Sequence, residues 1–274
     1  QRKLVELGCD RKTILIAFGG GVVGDAAGFA AATFMRGIDF IQIPTTLLAM
    51  IDSSIGGKTG INLREGKNLI GAFHQPKAVV VDPEVLSTLP ERETVSAMGE
   101  MLKYGAIANS NFFNWLIEHL DSIINKRDIN VLQSAIIKSA EIKADIVTQD
   151  EMESGLRKIL NFGHTIGHAL EIVLGYGTIL HGEAVAYGII AAGHLSMQKT
   201  NFSSEDCERL ESAIRNLPLP VLNKINMKSI VETMKRDKKV QDGKIHFVLL
   251  EEIGKPVITD NIDETEIQIA LEKL

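Results

Sequence analysis

The period of the apolar residues changes near Pro90, and this change limits the possible folds more than any other feature of the chain. Before it, strand-like runs alternate with helical stretches: residues 13–18, 40–43 and 78–81 as strands, residues 24–35 and 45–50 as helices. Strands that alternate with helices predict a mostly parallel sheet covered on both faces.

After Pro90, segments with a 3.6-residue period dominate and predict a mostly α-helical body. They are residues 93–108, 112–124, 131–147, 164–173, 183–198 and 205–216, followed by a short hairpin of residues 246–250 and 257–258. We therefore predict an α/β, Rossmann-like domain over residues 1–90 and a mostly α-helical domain over residues 91–274.

A glycine-rich turn, residues 19–24, fits the pattern G-x-G-x-x-G between a predicted strand and a predicted helix. Glycines there let the backbone approach a pyrophosphate at the helix N-terminus, although a tight turn without a ligand gives the same pattern. Asp39 has about the spacing of the usual ribose ligand but precedes its strand, so the fingerprint is not the ordinary one. The segment 56–60 is no phosphate-binding P-loop, because Asp52 stands where that motif begins with glycine.

Histidines concentrate in one short part of the chain. His164 and His168 share one face of a predicted helix, and His181 directly precedes another helical run. A single histidine is most often a surface or hydrogen-bonded residue. Three of the chain's seven histidines within eighteen residues favour a catalytic metal site with three protein ligands and one open position.

Charge, apolar stretches and cysteines exclude several classes of protein. The net charge of −6 argues against a nucleic-acid partner. The uninterrupted apolar stretch 184–193 is far too short to cross a bilayer. Cys9 and Cys207 are isolated and lack metal or redox spacing. We therefore expect a globular protein of the reducing cytoplasm that binds neither nucleic acid nor membrane.

Basic and amide side chains stand next to glycine, asparagine and histidine rather than on helix faces of alternating charge. They are Lys58, Lys67 and Asn68 in glycine-rich loops, Lys103 three residues after Glu100, Lys143, Arg157 and Asn161 ahead of the first histidine, and Lys238 and Lys239 after Asp237. A single lysine is usually a solvated surface charge. These surroundings favour an anion site, and hence a small anionic substrate.

Several further blocks follow one another in a fixed order. They are residues 19–25, Arg36-Gly37, residues 44–49, residues 52–62, Gly66-Lys67-Asn68, Thr88-Leu89-Pro90, residues 99–105 and the two histidine blocks. From about Ile14 to the C-terminus the chain thereby resembles the 3-dehydroquinate synthase family. The resemblance implies a dehydroquinate synthase-like fold. It also implies an NAD- and zinc-containing lyase of the shikimate pathway of aromatic amino acid biosynthesis, which converts 3-deoxy-D-arabino-heptulosonate 7-phosphate into 3-dehydroquinate and phosphate.

The resemblance also implies a metal-ligand set. Glu100, His164 and His181 match the ligands of zinc, with Co²⁺ as the alternative metal. This differs from the helical pairing of His164 with His168. In the family, the second histidine of that pair faces the phosphate end of the substrate.

The remaining site residues are likewise implied by the resemblance. The positions that match the NAD site are Gly20, Gly21, Val22, Gly24, Asp25, Thr45, Thr46, Asp52, Lys67 and Thr88, while Lys58 serves both NAD and substrate. The positions that match substrate contacts are Asn68, Lys103, Lys143, Glu153, Arg157, Asn161 and Lys238, with Lys239 as the alternative to Lys238. Arg36 matches an arginine that reaches the substrate phosphate of the neighbouring subunit, which implies a homodimer.

Three alternative functions stay open at this point. Other sugar-phosphate cyclases act on substrates without the carboxylate and need not keep Lys143 or Asn68 beside Lys58. Metal-dependent polyol dehydrogenases share the architecture. A non-catalytic relative that binds metal or nucleotide is the third, and the intact ligand set and anion cluster speak against it.

The family carries a βα portion ahead of the glycine loop that holds the adenosine end of NAD. Residues 1–11 are too short to form a βαβ unit, so we expect a truncated NAD domain. The expected consequences are weak NAD binding and open strand edges. Zinc binding should be less affected, because the three implied ligands lie beyond Pro90.

Overall fold

The computed structural model describes residues 1–63, 66–175, 177–222, 225–235, 240–241 and 244–274. For residues 66–68, 240–241 and 244 the description covers the backbone. The helices of these ranges are α1 (Arg2–Glu6), α2 (Gly21–Thr33), α3 (Glu91–Ala108), α4 (Ser110–Glu118), α5 (Leu120–Ile124), α6 (Ile129–Gln149), α7 (His164–Leu174), α8 (His181–Lys199), α9 (Ser204–Arg215), α10 (Met227–Lys235) and α11 (Glu264–Leu271).

The strands are short and fall into separate small sheets. They are β1 (Leu15–Gly19), β2 (Phe40–Pro44), β3 (Lys58–Leu63), β4 (Gly66–Phe73), β5 (Ala78–Val79), β6 (Val240–Gln241), β7 (Lys244–Ile245), β8 (Phe247–Glu252) and β9 (Lys255–Thr259). Single helical turns of other types add Phe34–Arg36, Pro83–Thr88 and Leu156–Asn161 as 3₁₀ turns and Ala49–Ser53 as a π turn.

The chain divides into two compact units. The first consists of Gln1–Pro90 with Arg127–Met152, and the second of Glu91–Lys126 with Glu153–Leu274. Helix α6 therefore belongs to the first unit although it follows Pro90 in sequence. The division into domains at residues 1–90 and 91–274 stays a prediction.

The first unit contains a parallel sheet in the order β1–β2–β5, against which α2 packs. Leu15 pairs with Phe40 and Gly19 with Pro44, so β1 and β2 end at the same edge. Helix α2 begins directly after this edge, and Ala31 and Phe34 at its C-terminal end pack against Phe40. The predicted parallel Rossmann-like sheet is thereby confirmed.

The glycine-rich segment that ends at Gly60 was predicted to be a loop, but from Lys58 onward it is instead the first strand of an antiparallel hairpin of β3 and β4, and only the residues before Lys58 lie outside a strand. That prediction was wrong because the glycines allow close backbone approach within a strand pair. Gly60 lies opposite Gly71, and a Cβ on Gly71 would stand 2.2 Å from the carbonyl oxygen of Thr59. Lys67 and Asn68, expected in a loop, therefore lie in strand β4.

Helix α8 is the central element of the second unit and is buried over most of its length. Glycines let its backbone approach both neighbours. A Cβ on Gly182 would stand 1.8 Å from the carbonyl oxygen of Ser96 in α3, and a Cβ on Gly188 would stand 1.9 Å from the carbonyl oxygen of Gly163, the residue before α7. Helices α3, α7 and α8 thus pack backbone against backbone.

The helical segments predicted after Pro90 are present, with one break and two additions. The predicted helix over residues 112–124 divides at His119, whose φ of −108° and ψ of 9° end α4. The predicted hairpin is β8 with β9, and helices α10 and α11 were not predicted. Among the described residues, no helix combines the length and apolar character that a membrane crossing requires.

Candidate metal centre and dinucleotide-binding loop

One carboxylate and two imidazoles meet where three helices of the second unit pack together. His164 is the first residue of α7, His181 is the first residue of α8, and Glu100 lies in the middle of α3. The Oε1 atom of Glu100 is 3.3 Å from Nε2 of His164 and 3.3 Å from Nε2 of His181. The close approach of the helices at Gly182 and Gly188 brings these residues within reach of one another.

Each imidazole has a second partner at its other nitrogen. Nδ1 of His164 donates to the carbonyl oxygen of Phe162 at 3.1 Å, and Nδ1 of His181 lies 3.3 Å from Oε2 of Glu171. A carbonyl accepts hydrogen bonds and does not donate them, so Nδ1 of His164 carries the proton and Nε2 is left with its lone pair. Nε2 of His164 therefore faces Glu100 with its lone pair, and Nε2 of His181 can bind a metal ion in the same way when its proton is displaced and Nδ1–H is held by Glu171.

The buried carboxylate fits a metal ion. Glu100 is 0 % exposed, and its Oε1 atom has no hydrogen-bond partner among the described residues. The Lys103 ammonium contacts its Oε2 atom as an ion pair. Burial raises the pKa of Glu100, but Lys103 and the two imidazoles outweigh burial and hold that pKa well below its usual value. A carboxylate that stays ionised with an unsatisfied oxygen between two imidazole nitrogens is a donor set for a divalent cation.

The two imidazoles differ in their electrostatics. Burial lowers the pKa of His164 to about 4. Burial also acts against the charged form of His181, but Glu100 and Glu171 outweigh it and raise the pKa of His181 to about 9. The two carboxylates next to His181 therefore stabilise the positively charged form of its ring, whereas His164 is more stable in its neutral form.

His168 offers a second possible donor set. Its ring centroid is 5.3 Å from that of His164 and 5.7 Å from that of His181, and ligand atoms of the three histidines lie within 4.8 Å of one another. The three-histidine set and the set with Glu100 share His164 and His181. We favour the set with Glu100, because its Oε1 stands at 3.3 Å from both Nε2 atoms and lacks a hydrogen bond.

An ion pair between Arg92 and Glu183 fixes the segment that leads to His181, and it was not predicted from the sequence. Arg92, in the first turn of α3, donates from Nε to Oε1 of Glu183 at 2.7 Å and from Nη2 to Oε2 at 2.8 Å. It also donates to the carbonyl oxygen of Thr178, while the backbone N–H of Leu180 donates to Glu183. Glu183 gave part of the signal in the sequence, because a glutamate at the third position of a helix can accept from the N-cap backbone N–H, although Leu180 has no side-chain oxygen to complete a capping box.

Other predicted substrate contacts lie in the same unit. Lys103 is 2 % exposed and sits beside Glu100, one turn along α3. Nδ2 of Asn161 donates to Oε1 of Glu153 at 2.9 Å, and Glu153 has a left-handed backbone with φ of 59°. Arg157, which lies between these two residues in sequence, is buried. Lys238 and Lys239 lie outside the described residues.

The glycine loop of the first unit packs closely on the segment that follows β2. A Cβ on Gly20 would stand 3.0 Å from Cγ2 of Thr46, and a Cβ on Gly21 would stand 2.9 Å from Oγ of Ser53. Gly20 is the N-cap of α2, and Val22 in its first turn is 79 % exposed. Glycine at these positions thus leaves the first turn of a helix open to an anion.

A cluster of charges lies in the first unit, where α6 meets the π turn Ala49–Ser53. Nζ of Lys143 is 2.6 Å from Oδ1 of Asp52 and donates to the Asp52 carbonyl oxygen. Burial and the nearby Asp52 raise the pKa of Asp25 to about 6, against the effect of Lys143. Two predicted NAD residues and one predicted substrate contact are therefore brought together.

The other predicted positions of the first unit are spread over several elements. Thr45 donates its backbone N–H to Gly19, Lys58 begins β3 with an exposed side chain, Thr88 ends a 3₁₀ turn, and Arg36 ends another with φ of 70°. Lys67 and Asn68 lie in β4, and their side chains are outside the described part of the chain.

Comparisons with known proteins cover nearly the whole chain. Residues 1–96 match the family model described as 3-dehydroquinate synthase N-terminal, and residues 97–240 match the model described as 3-dehydroquinate synthase C-terminal. The 3-dehydroquinate synthase of Nitrosomonas europaea is 51% identical over 260 residues, which are 94% of this chain and 70% of that protein. The 3-dehydroquinate synthase of Dictyoglomus thermophilum is 49% identical over 98% of this chain and 76% of its own length.

Solved structures agree on the fold. ValA, a 2-epi-5-epi-valiolone synthase from Streptomyces hygroscopicus with NAD⁺ and Zn²⁺ bound, is 29% identical and superposes with a TM-score of 0.92 over 99% of this chain and 76% of its own. A 2-deoxy-scyllo-inosose synthase complexed with carbaglucose-6-phosphate, NAD⁺ and Co²⁺ gives a TM-score of 0.88 at 29% identity over 100% of this chain and 77% of its own. A probable glycerol dehydrogenase from Sinorhizobium meliloti, 19% identical with a TM-score of 0.59, shares the fold.

Proposed function

Because the chain belongs to the 3-dehydroquinate synthase family, we propose that it converts 3-deoxy-D-arabino-heptulosonate 7-phosphate into 3-dehydroquinate and phosphate, with NAD and a divalent metal ion as cofactors. The observation that carries the metal dependence is the buried Oε1 atom of Glu100, which has no hydrogen bond among the described residues and lies between two imidazole nitrogens. The identity of about half to named synthases supports the choice of reaction.

Glu100, His164 and His181 would hold the metal, and zinc is the proposed ion, with cobalt as the alternative. ValA was solved with Zn²⁺ and the inosose synthase with Co²⁺, which supports both choices. A bound divalent ion supplies a Lewis acid that acidifies and orients a substrate hydroxyl, and NAD supplies a hydride acceptor. His168, beside this centre, is proposed to face the phosphate end of the substrate instead of the metal.

The basic side chains of the second unit are proposed to bind and orient the anionic substrate. Lys103 is buried next to Glu100, so its ammonium can neutralise an oxygen that carries developing negative charge. Asn161 is held by Glu153, and Arg157 is buried in the same stretch of chain. These side chains are already ordered and lose little conformational freedom when the substrate binds. They can therefore hold the substrate in one pose through several chemical steps.

The first unit is proposed to bind NAD and to complete substrate binding. The open first turn of α2, from Gly20 and Gly21 through Val22 and Gly24 to Asp25, suits a pyrophosphate. The proposed NAD positions elsewhere are Thr45, Thr46, Asp52, Lys58, Lys67 and Thr88, and the proposed substrate contacts of this unit are Asn68 and Lys143. Lys238, which follows Met152 in sequence and so is no part of this unit, is a further proposed substrate contact. The ammonium of Lys143 is held in place beside Asp52, which supports a role for Lys143 in substrate binding. Arg36 is proposed to reach the substrate phosphate of a second copy in a homodimer.

Phosphate release tests the reaction. The conversion leaves the net oxidation level of the substrate unchanged, so NAD is needed only in catalytic amount. With NAD⁺, zinc and the heptulosonate phosphate, released phosphate should far exceed the NAD supplied, without matching growth of the NADH absorbance. Glu100→Gln should abolish release, while Glu208→Gln on the exposed side of α9 should not.

Two results would contradict the proposal. NADH that accumulates in proportion to substrate would indicate a polyol dehydrogenase, whose fold the glycerol dehydrogenase shares. Phosphate release from a sugar phosphate without the carboxylate, but not from the heptulosonate, would indicate a different cyclase. The 29% identity to two such cyclases makes this the second candidate.

A further inference from the structure

Glu171 lies in α7 seven residues after His164 and contacts the other ligand histidine. The residue is 5 % exposed, and its Oε2 atom is 3.3 Å from Nδ1 of His181. A carboxylate at this depth is expensive to keep ionised unless hydrogen bonds or positive charge compensate it. Its position also lies toward the C-terminus of α7, where the helix dipole disfavours negative charge.

We infer that Glu171 is a positioning residue of the metal centre, which holds Nδ1–H of His181 and thereby turns Nε2 of that ring toward the ion. The inference rests on the proposed metal site of Glu100, His164 and His181. It adds a residue that touches neither substrate nor metal but acts through a ligand. Carboxylates that accept a hydrogen bond from a ligand histidine fix its tautomer and raise its basicity as a donor.

The two ligand histidines are held in different ways. The ring of His164 is fixed by the carbonyl oxygen of Phe162, two residues away in the same chain segment. The ring of His181 has a carboxylate from another helix as its partner. A carboxylate carries a full negative charge and a carbonyl does not, so His181 should be the stronger electron donor of the two.

The Arg92–Glu183 pair cannot replace this contact. It fixes the backbone that leads into α8, through the carbonyl of Thr178 and the N–H of Leu180. The imidazole of His181 can still rotate about its side-chain bonds. The hydrogen bond to Glu171 acts on that rotation, and so backbone and ring are fixed by two separate carboxylates.

Zinc affinity of Glu171 variants tests the inference. The apo-protein is titrated with zinc against a chromophoric chelator, and Co²⁺ is added separately to record its d–d absorption. Glu171→Ala should lower zinc affinity by about 10- to 100-fold and change the Co²⁺ spectrum. Glu171→Gln keeps an acceptor oxygen of the same size without the charge, and it should lie between wild type and the alanine variant.

A second background separates positioning from general stability. In His181→Ala protein, Glu171→Gln should not lower the residual zinc affinity further, because the ring it acts on is absent. Glu211→Gln is the matched control, since Glu211 bonds His194 at 2.8 Å in the same unit but away from the proposed ligands. It should leave zinc affinity and the Co²⁺ spectrum unchanged even if it lowers the melting temperature.

Three outcomes would overturn the inference. Wild-type affinity and spectrum in both Glu171 variants would show that the contact does not act on the metal. An equal loss in the His181→Ala background would show a structural role only. Wild-type protein that binds no zinc would contradict the metal site itself and this inference with it, whereas zinc binding without phosphate release would contradict only the proposed reaction.

Discussion

A fully buried carboxylate such as Glu100 is tolerated in a protein when positive charge lies next to it. Lys103 supplies part of that charge, yet Oε1 faces two Nε2 atoms at 3.3 Å without a hydrogen bond. At the scale of the residue, the distinction between Glu100 and His168 as third metal ligand is therefore the most informative one to test.

Replacement of single ligands should separate the two donor sets. We expect Glu100→Gln and His181→Ala to lose bound zinc and activity together, because each removes one of three ligands. His168→Ala should keep its zinc and lose activity. Metal analysis by plasma mass spectrometry after dialysis measures this directly, and undiminished zinc in the His181 variant would refute the assignment.

The raised pKa of Asp25 predicts that the stability of the folded protein depends on pH. Its pKa of about 6 in the folded protein lies above the ordinary value of 3.8, so the folded state binds this proton more tightly than the unfolded state. The stabilisation from that proton is present below about pH 4 and is lost as pH rises through 6. Asp25→Asn should therefore raise the unfolding free energy at pH 8, by about 1–2 kcal/mol after allowance for partial exposure, and change little at pH 4.

Urea unfolding of the NAD-free protein at the two pH values measures this effect. Asp145→Asn on the exposed face of α6 serves as the control, and its effect should not differ between the two conditions. A gain for the Asp25 variant that is as large at pH 4 as at pH 8 would show that its cause is not the ionised carboxylate.

At the scale of the elements, local pattern and long-range packing explain which predictions succeeded. The parallel strands β1, β2 and β5 were predictable, because alternation of strand-like and helical segments is a local signal. The hairpin of β3 and β4 was not predictable, because glycine is typical of turns. In this hairpin, however, a glycine lies opposite another glycine within a strand pair. Helices α10 and α11 have nine and eight residues, so each gives little more than two turns of a helical period.

The metal centre shows the same limit. Spacing alone suggested His164, His168 and His181, and Glu100 entered only through the family resemblance. Glu100 is far from the histidines in sequence, so no local pattern links it to them. Its contact with the histidines depends on how α3 and α8 pack at Gly182. The pairing of Arg92 with Glu183 was missed for the same reason, since it depends on how α3 and α8 pack, although Glu183 by itself marks a helix N-terminus.

Helix α8 should tolerate alanine at one glycine and not at another. Gly188→Ala would place a methyl group 1.9 Å from the backbone oxygen of Gly163, and backbone cannot move aside without shifting α7. We expect a loss of about 1–3 kcal/mol in unfolding free energy and weaker zinc binding. Gly193→Ala is the matched control, because its Cβ would meet the flexible side chain of Leu210 at 3.0 Å.

Thermal melts and zinc titrations of both variants measure the difference. The control should keep zinc affinity, since alanine is favoured over glycine within helices. Equal zinc affinity in wild type and the Gly188 variant would mean that the close helix approach is not what positions His164 and His181.

At the scale of the whole molecule, the proposed ligands all belong to one of the two compact units. Ligand binding stabilises the folded state by about 2.7 kcal/mol at a free concentration one hundred times the dissociation constant. Zinc should therefore slow hydrogen exchange in α3, α7 and α8, while the amides of β1 and β2 keep their exchange rates. Peptide-resolved exchange with and without zinc measures this, and equal protection of the sheet would show that the two units open together.

The close packing of α8 also has a consequence for the kinetics of metal exchange. Glu100 is fully buried in mid-helix and His164 is 11 % exposed, whereas 30 % of the His181 side chain is accessible. Exchange should therefore begin when His181 swings away, while the other two ligands stay in place. Because Glu171 restrains the rotation of that ring, while the Arg92–Glu183 pair holds only the backbone that carries it, the residence time of the ion should be set by one side chain at the start of a helix.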